Sequence, residues 1–157
     1  MDDMSNDIRF MRLALEEAEK AFFADEVPVG CIITKNRKVI ARGHNRVESL
    51  MDSTAHAEIL CIGSAATALQ DWRLLDTVMY CTLEPCPMCA GAILAARIKR
   101  IVWGAPDIRL GACGSWTNLF SLKHPFHTVE VTSGVCSFES KNLLQKFFKN
   151  KRMEQDG

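Results

Sequence analysis

Cys86 and Cys89 are the residues of this sequence whose type and spacing best suit metal binding. They lie in the segment PCPMC at residues 85–89, with the C-x-x-C spacing that many zinc sites use. Pro87 suits the first position of a helix, where the N–H that proline lacks would have no partner. A helix that begins there places both sulfurs on one face, because residues three apart are neighbours on a helix surface. The segment therefore predicts two ligands of one metal ion at the start of a helix.

A histidine is the natural third ligand, because the chain contains no second C-x-x-C pair. His56 stands out among four candidates, since it opens a helical segment and Glu58 follows two residues later; the others are His44, His124 and His127. Three protein ligands leave a fourth position for water, which is typical of catalytic zinc, and a nearby carboxylate can then move protons. Residues two apart on a helix face different ways. We therefore expect this helix to begin near Thr54, with His56 at its mouth.

Length and composition favour one cytoplasmic domain that spans residues 1–157. Lys plus Arg equals Asp plus Glu, at 19 each, so any nucleic-acid site must be a local basic patch. No apolar run approaches the roughly 20 residues of a membrane span, and the acidic N-terminus MDDMSND does not resemble a signal or transit peptide. The sequence predicts a complete chain without membrane association.

An odd count of seven cysteines argues against a disulfide framework, and we expect the five scattered ones to be buried thiols.

Hydrophobic periodicity predicts elements in the order α-β-β-α-β-α-β-loop-β-α. The first two strands flank the polar segment KNRK and should form an antiparallel hairpin. Strands that alternate with helices favour a three-layer α-β-α fold around a mixed sheet of about five strands, with parallel β-α-β units. After the hairpin at residues 27–45, the predicted elements are a helix at 53–69, a strand at 77–83, a helix that begins after the loop at 85–86, a strand at 99–104, a strand at 127–134 and a helix at 138–152.

Two motifs together, H-x-E at residues 56–58 and P-C-x-x-C at residues 85–89, form the signature of zinc deaminases. The sequence resembles the tRNA adenosine deaminases of the TadA type, within the cytidine deaminase-like superfamily, from about residue 8 to residue 152. The resemblance rests on the segments VPVG (27–30), GHNR (43–46), TAHAE (54–58), TLEPCPMCAGAI (82–93), WGAPD (103–107), GACGS (111–115) and FFKNKR (147–152).

The resemblance implies a site and a reaction. His56, Cys86 and Cys89 would bind one zinc ion per chain, and zinc-bound hydroxide would attack C6 of adenine with Glu58 as the proton shuttle. The substrate would be the wobble adenosine in the anticodon loop of an arginine tRNA, which becomes inosine. Family members are typically homodimers.

The resemblance also implies substrate contacts from four residues. Asn45 would hydrogen-bond the nucleoside, although it also suits a turn, and Asp107 would contact the nucleotide backbone, although it also suits a loop cap. Val29 and Pro28 would line the pocket, or would simply end a strand.

RNA contacts are predicted for the last helix, in which basic residues alternate with Phe147 and Phe148. An alternative places the phenylalanines in the core and the charges in solvent. The predicted contacts are Lys149, Lys151, Arg152 and also His127, which suits a surface position equally well. Phe126 precedes it where the family often has asparagine, so fine recognition of the RNA would differ here.

Two other functions fit the same motifs. A free-base or nucleoside deaminase for guanine or cytosine would keep the zinc and change the substrate. A zinc-stabilised binding module without catalysis would instead need a closed site with a fourth protein ligand such as Cys81 or His44. Glu58 argues against the module, because a structural site has no use for an acid at its mouth.

Overall fold

The computed structural model describes residues 3–156, which form five α-helices, five strands and one 3-10 turn. The helices are α1 (Asp3–Phe23), α2 (Val47–Leu50), α3 (Ala57–Leu69), α4 (Pro87–Ala95) and α5 (Ser137–Asp156). The strands are β1 (Gly30–Lys35), β2 (Lys38–His44), β3 (Thr77–Leu83), β4 (Arg100–Ala105) and β5 (Glu130–Thr132), and the 3-10 turn is Leu119–Ser121. Over this range, no helix is both long and apolar enough to cross a bilayer.

The five strands form one mixed sheet in the order β2-β1-β3-β4-β5. Strand β1 is antiparallel to both neighbours, whereas β3, β4 and β5 are parallel. The hairpin turns at Asn36 and Arg37, whose φ angles of 52° and 61° are those of a tight two-residue turn. This confirms the predicted hairpin and mixed sheet. The last strand is shorter than predicted.

Helices cover both faces of the sheet because side chains alternate along each strand. Ile32, Tyr80 and Val102 point towards α1 and pack with its Phe10 and Met11. On the opposite face, strand residues that include Cys31, Cys81 and Trp103 pack with α3 and α4. Helix α5 lies beside α1, and its Ser140 hydroxyl donates to the Thr82 carbonyl of β3. The predicted three-layer α-β-α arrangement is therefore confirmed.

Gly43 allows the first turns of α3 to lie directly on β2. A Cβ atom at this position would come within 2.8 Å of the Ala57 carbonyl oxygen and 3.0 Å of the Cys61 nitrogen. Both atoms belong to the helix backbone, so they cannot move without the whole helix. The glycine therefore sets the position of the turn that carries His56 and Glu58.

Replacing Gly43 with alanine should destabilise the protein by about 1–3 kcal/mol, since the added methyl group overpacks the interface between sheet and helix. Urea unfolding followed by circular dichroism would measure the change. Gly63→Ala is the matched control, because Gly63 lies on the same helix and a Cβ there would meet nothing within 4 Å. Equal stabilities of the two variants would contradict the close approach at Gly43.

Candidate active site

One end of the sheet carries the candidate metal ligands and the candidate proton carrier Glu58. The carboxyl ends of β2, β3 and β4 meet there with the amino end of β1, because β1 runs in the opposite direction. Helices α3 and α4 also begin at this end. A cleft of about 1310 Å³ opens between these elements and α5. The predicted site residues that line it are Val29, Asn45, His56, Glu58, Cys86, Asp107 and Lys151.

His56 and Cys86 occupy equivalent positions, each as the N-cap of its helix. Pro87 is the first residue of α4, which confirms the predicted start of that helix. The predicted start of α3 near Thr54 is wrong, because the helix begins three residues later at Ala57. The Asp52 carboxylate accepts hydrogen bonds from the Thr54 N–H and hydroxyl, at 2.8 and 2.7 Å, and holds this segment as a turn. Because the helix starts later, the His56 backbone is extended rather than helical, and its side chain can point towards α4.

The His56 ring and the two thiols converge on one point. The Nδ1 atom of His56 lies 3.6 Å from Sγ of Cys86 and 3.5 Å from Sγ of Cys89. These values match the edge of a zinc tetrahedron, which is about 3.5–3.6 Å for the usual Zn–S and Zn–N bond lengths. Within residues 3–156, this is the one set of three or more His, Cys, Asp or Glu ligand atoms that lie within 4.8 Å of one another. The set includes neither Cys81 nor His44, the two residues suggested as a fourth ligand for a closed site.

Contacts within this cluster shift the pKa values of its three donors in different directions. Hydrogen bonds from Cys89 and His56 outweigh burial and lower the pKa of the Cys86 thiol to about 4. The same contact with Cys86, together with burial, raises the pKa of Cys89. Hydrogen bonding to Cys86 likewise raises the pKa of His56. Cys86 is therefore the donor most readily available as a thiolate, whereas Cys89 and His56 would release protons when a metal ion binds.

Glu58 lies in the first turn of α3 and is only 4% exposed, yet it lines the cleft. Burial raises the pKa of its carboxyl group, although contacts with its own backbone and with Cys89 oppose the change. A carboxyl whose pKa moves towards neutrality can both take and return a proton, which is the requirement for acid–base catalysis at neutral pH. The fold thus places a group that can carry protons beside the three candidate metal ligands.

Asn45 follows β2 and stands on the cleft wall with Val29. Its backbone N–H donates to the Val29 carbonyl at 3.1 Å, and its side-chain amide donates to the Val27 carbonyl at 3.3 Å. These bonds fix the orientation of the amide, as the turn interpretation expects. Pro28 is buried and does not line the cleft.

Asp107 follows β4 on the opposite wall. Its Oδ1 accepts from the N–H groups of Arg109 and Leu110, both at 3.3 Å, so it caps the loop as the alternative interpretation expects. Its other carboxylate oxygen has no hydrogen bond among those the structure gives for Asp107. The residue can therefore hold the loop and still accept a bond from a ligand in the cleft.

Glu84 is a structural residue of the site that sequence reasoning missed. It is 2% exposed, and its carboxylate accepts from the N–H groups of Asp107, Cys113 and Ser115 and from the Ser115 hydroxyl. The loop packs so tightly here that a Cβ at Gly111 would lie 2.2 Å from Glu84 Oε2. The sequence does contain a sign of this role: Glu84 is an acid directly after an apolar strand, and a loop rich in small residues follows later in the chain.

The residues predicted to contact RNA are dispersed. Lys151 reaches the cleft, where its ammonium group pairs with Asp25 at 2.5 Å and with Glu154 at 3.4 Å. Lys149 and Arg152 are exposed on α5 and do not line the cleft. His127 lies elsewhere, with Nε2 2.6 Å from the Ile98 carbonyl oxygen.

The two phenylalanines of α5 have different environments. Phe147 is 6% exposed and packs against Phe22, with 6.1 Å between the ring centroids. Phe148 is 40% exposed and lines the cleft. The core interpretation therefore fits Phe147, whereas Phe148 presents a ring to whatever occupies the cleft.

Residues 4–105 match the family described as the cytidine and deoxycytidylate deaminase zinc-binding region. The match includes His56, Glu58 and both cysteines of the cluster. It defines the class of this fold and site as that of the zinc-binding deaminases.

Individual similar proteins indicate a narrower class than the family match does. The tRNA-specific adenosine deaminase of Haemophilus influenzae is 46% identical over 150 residues, which are 95% of this chain and 87% of the relative. The chloroplastic tRNA(adenine(34)) deaminase of Arabidopsis thaliana is 52% identical over 155 residues, although the chain spans only 12% of its length. A structure from studies of A-to-I editing by tRNA:A34 deaminases superposes with a TM-score of 0.83 and 46% identity, over 87% of this chain and 99% of that one. The chain therefore belongs to the cytidine and deoxycytidylate deaminase family, in its branch of tRNA-specific adenosine deaminases.

Proposed function

We propose that this protein converts the wobble adenosine to inosine in the anticodon loop of a tRNA, specifically an arginine tRNA, by zinc-dependent hydrolytic deamination. The observation that carries the proposal is the convergence of His56, Cys86 and Cys89 beside the buried carboxyl group of Glu58. The names of its relatives support the RNA substrate. The whole chain, residues 1–157, would act as one cytoplasmic deaminase domain and as a homodimer, as the family resemblance implies.

His56 Nδ1 and the sulfurs of Cys86 and Cys89 would hold one zinc ion. Zinc, when bound, supplies Lewis-acid activation of water at neutral pH. The protein fixes the donors by placing each at the start of a helix that packs against the sheet, so little reorganisation is needed when the metal binds. Three donors leave one coordination position for the reacting water, as catalytic zinc sites require.

Glu58 would carry the protons of the reaction. Its carboxylate takes a proton from the attacking water and delivers it to N1 of the adenine ring, while the water oxygen bonds to C6. Glu58 would then take a second proton, from the new C6 hydroxyl group, and give it to the exocyclic amine as the C6–N bond breaks. Adenosine and water thus become inosine and ammonia. The raised pKa of Glu58 suits this exchange, since the same group must accept and release a proton.

The cleft favours a nucleotide within an RNA over a free base. Its volume of about 1310 Å³ exceeds the roughly 300–1,000 Å³ typical of small-molecule pockets. An unstacked loop nucleotide can enter such a cleft at low cost. We propose that Val29 and Asn45 contact the base, with Pro28 behind them, and that Asp107 contacts the adjoining backbone. Lys149, Lys151, Arg152 and His127 are proposed contacts to the rest of the RNA.

A direct assay tests the function. The purified protein is incubated with an arginine-tRNA anticodon stem-loop that carries a wobble adenosine, and the digested RNA is analysed for inosine by mass spectrometry. We expect inosine at the wobble position alone, and none when that adenosine is moved to the stem. Ammonia release from free guanine or cytosine, without inosine in the RNA, would instead identify a free-base deaminase.

A further inference from the structure

A surface far from the cleft carries a row of five side chains, in which two arginines alternate with aromatic rings and a histidine ends the row. The guanidinium carbon of Arg73 lies 4.3 Å from the Trp72 ring centroid. That of Arg97 lies 5.8 Å from Trp72 and 5.7 Å from Phe126. The His124 and Phe126 rings are 6.1 Å apart. We call this row, which runs Arg73, Trp72, Arg97, Phe126 and His124, the cation–aromatic ladder.

The ladder is ordered although it is not part of the core. Arg97 donates from Nη1 to the carbonyl oxygens of Leu94 and Ala95, at 3.0 and 3.2 Å, and so is fixed at the end of α4. The Phe126 N–H donates to the His124 ring at 3.1 Å. Yet Trp72 is 53% exposed and Phe126 is 77% exposed. Packing within the chain does not account for such large apolar rings held in water, and large exposed apolar groups mark interaction sites.

The surroundings of the ladder are basic in a chain that is neutral overall. Its segments, residues 70–76, 97–99 and 122–127, contain Arg73, Arg97, Lys99 and Lys123 against two acids, Asp71 and Asp76. One of those acids, Asp71, already pairs with Arg73 at 3.7 Å. Lys99 and Lys123 are exposed at the rim. A ligand with negative charges and flat rings complements this surface.

We propose that the cation–aromatic ladder is a second RNA-binding surface, which contacts unpaired nucleotides of the tRNA outside its anticodon loop. Exposed bases stack on aromatic rings and guanidinium planes, while lysines pair with phosphates. A second copy of the chain fits less well, because a two-fold interface would bring this basic surface against itself, and like charges across an interface are unfavourable. The proposal rests on the proposed function, since the ligand is the same tRNA.

The position of the ladder separates it from the nucleotide in the cleft. Its segments precede the amino ends of β3, β4 and β5, whereas the cleft lies at the carboxyl ends of β3 and β4. Strand β3 has seven residues, so the two sites are about 20 Å apart at the usual rise of roughly 3.3 Å per residue. One flipped base cannot reach both, and the ladder must act on a different part of the RNA.

The test compares binding of two RNAs by fluorescence anisotropy: the full-length arginine tRNA and its anticodon stem-loop, both with a wobble guanosine so that no reaction occurs. Phe126→Ala, Phe126→Asn and Trp72→Ala should each weaken binding of the full-length tRNA by about fivefold or more, as loss of one stacked base predicts. Binding of the stem-loop, and kcat on an adenosine stem-loop, should not change. Phe138→Ala is the matched control, because Phe138 is 73% exposed and lies outside the ladder.

Equal binding of the full-length tRNA by the wild type and all three ladder variants would overturn the proposal. A wild type that binds the full-length tRNA no more tightly than the stem-loop would also overturn it. If the variants lose self-association in sedimentation experiments but keep RNA affinity, the ladder is an interface between two copies and the proposal is wrong. Binding does not depend on turnover, so a failure of deamination would count against the proposed function alone.

Discussion

Replacing Glu58 with glutamine is expected to lower kcat for inosine formation by at least about 10²–10⁴-fold, the usual contribution of a positioned acid–base group. The amide keeps the shape of the side chain but can neither take a proton from water nor return one to the leaving amine. The Glu58 side chain is 4% exposed and lies in the first turn of α3, so the helix and its surroundings hold it in position. Glu58→Ala should give a similar loss.

Zinc binding should survive this change, because Glu58 is not one of the three converging donors. Metal analysis of the purified variant should therefore find one zinc ion per chain, as in the wild type. Glu19→Gln, an equivalent change at an exposed position of α1, is the control and should keep full activity. Turnover close to that of the wild type would show that another group carries the proton. A variant that arrives without zinc would show that Glu58 supports the metal instead.

Removing Cys89 should also abolish activity, but by a different cause, because the protein would lose its metal ion. The Cys89 sulfur is fully buried and lies 3.5 Å from His56 Nδ1. Changes to residues that only support a metal ligand cost about 10–100-fold in affinity, so loss of a ligand should cost at least the larger value. We expect Cys89→Ala to be isolated with little zinc and to form no detectable inosine.

The stability of the protein should follow its zinc content. A ligand that binds only the folded state stabilises it, so removal of zinc from the wild type by a chelator should lower Tm, and zinc addition should restore it. In the Cys89→Ala variant, neither treatment should change Tm. Cys136→Ser is the matched control, because Cys136 lies outside the converging set and the variant should keep both zinc and activity. Full zinc content in Cys89→Ala would contradict the assignment of this ligand.

Several parts of the fold could be predicted from local sequence alone. The strand at residues 77–83 and the start of α4 at Pro87 are as predicted, because a β-rich run and a proline at the first helical position act through their own backbone. The hairpin turn at Asn36 and Arg37 is equally local. The start of α3 was misplaced because the Asp52 carboxylate competes for the Thr54 N–H. Short polar side chains often compete with the backbone in this way, and the sequence does not state which bond wins.

The sequence by itself determined the chemistry of this protein: the types of the donors, their spacing and the acid two residues after His56. Only the tertiary structure decided the rest. It brings His56 within 3.6 Å of cysteines that lie about 30 residues away in the chain. It also buries Phe147 while exposing Phe148, and it places Arg97 within 6 Å of the ring centroids of both Trp72 and Phe126. The physical reason is that residue type and short-range spacing fix reactivity and local backbone geometry, whereas proximity between distant segments depends on how the helices pack against the sheet.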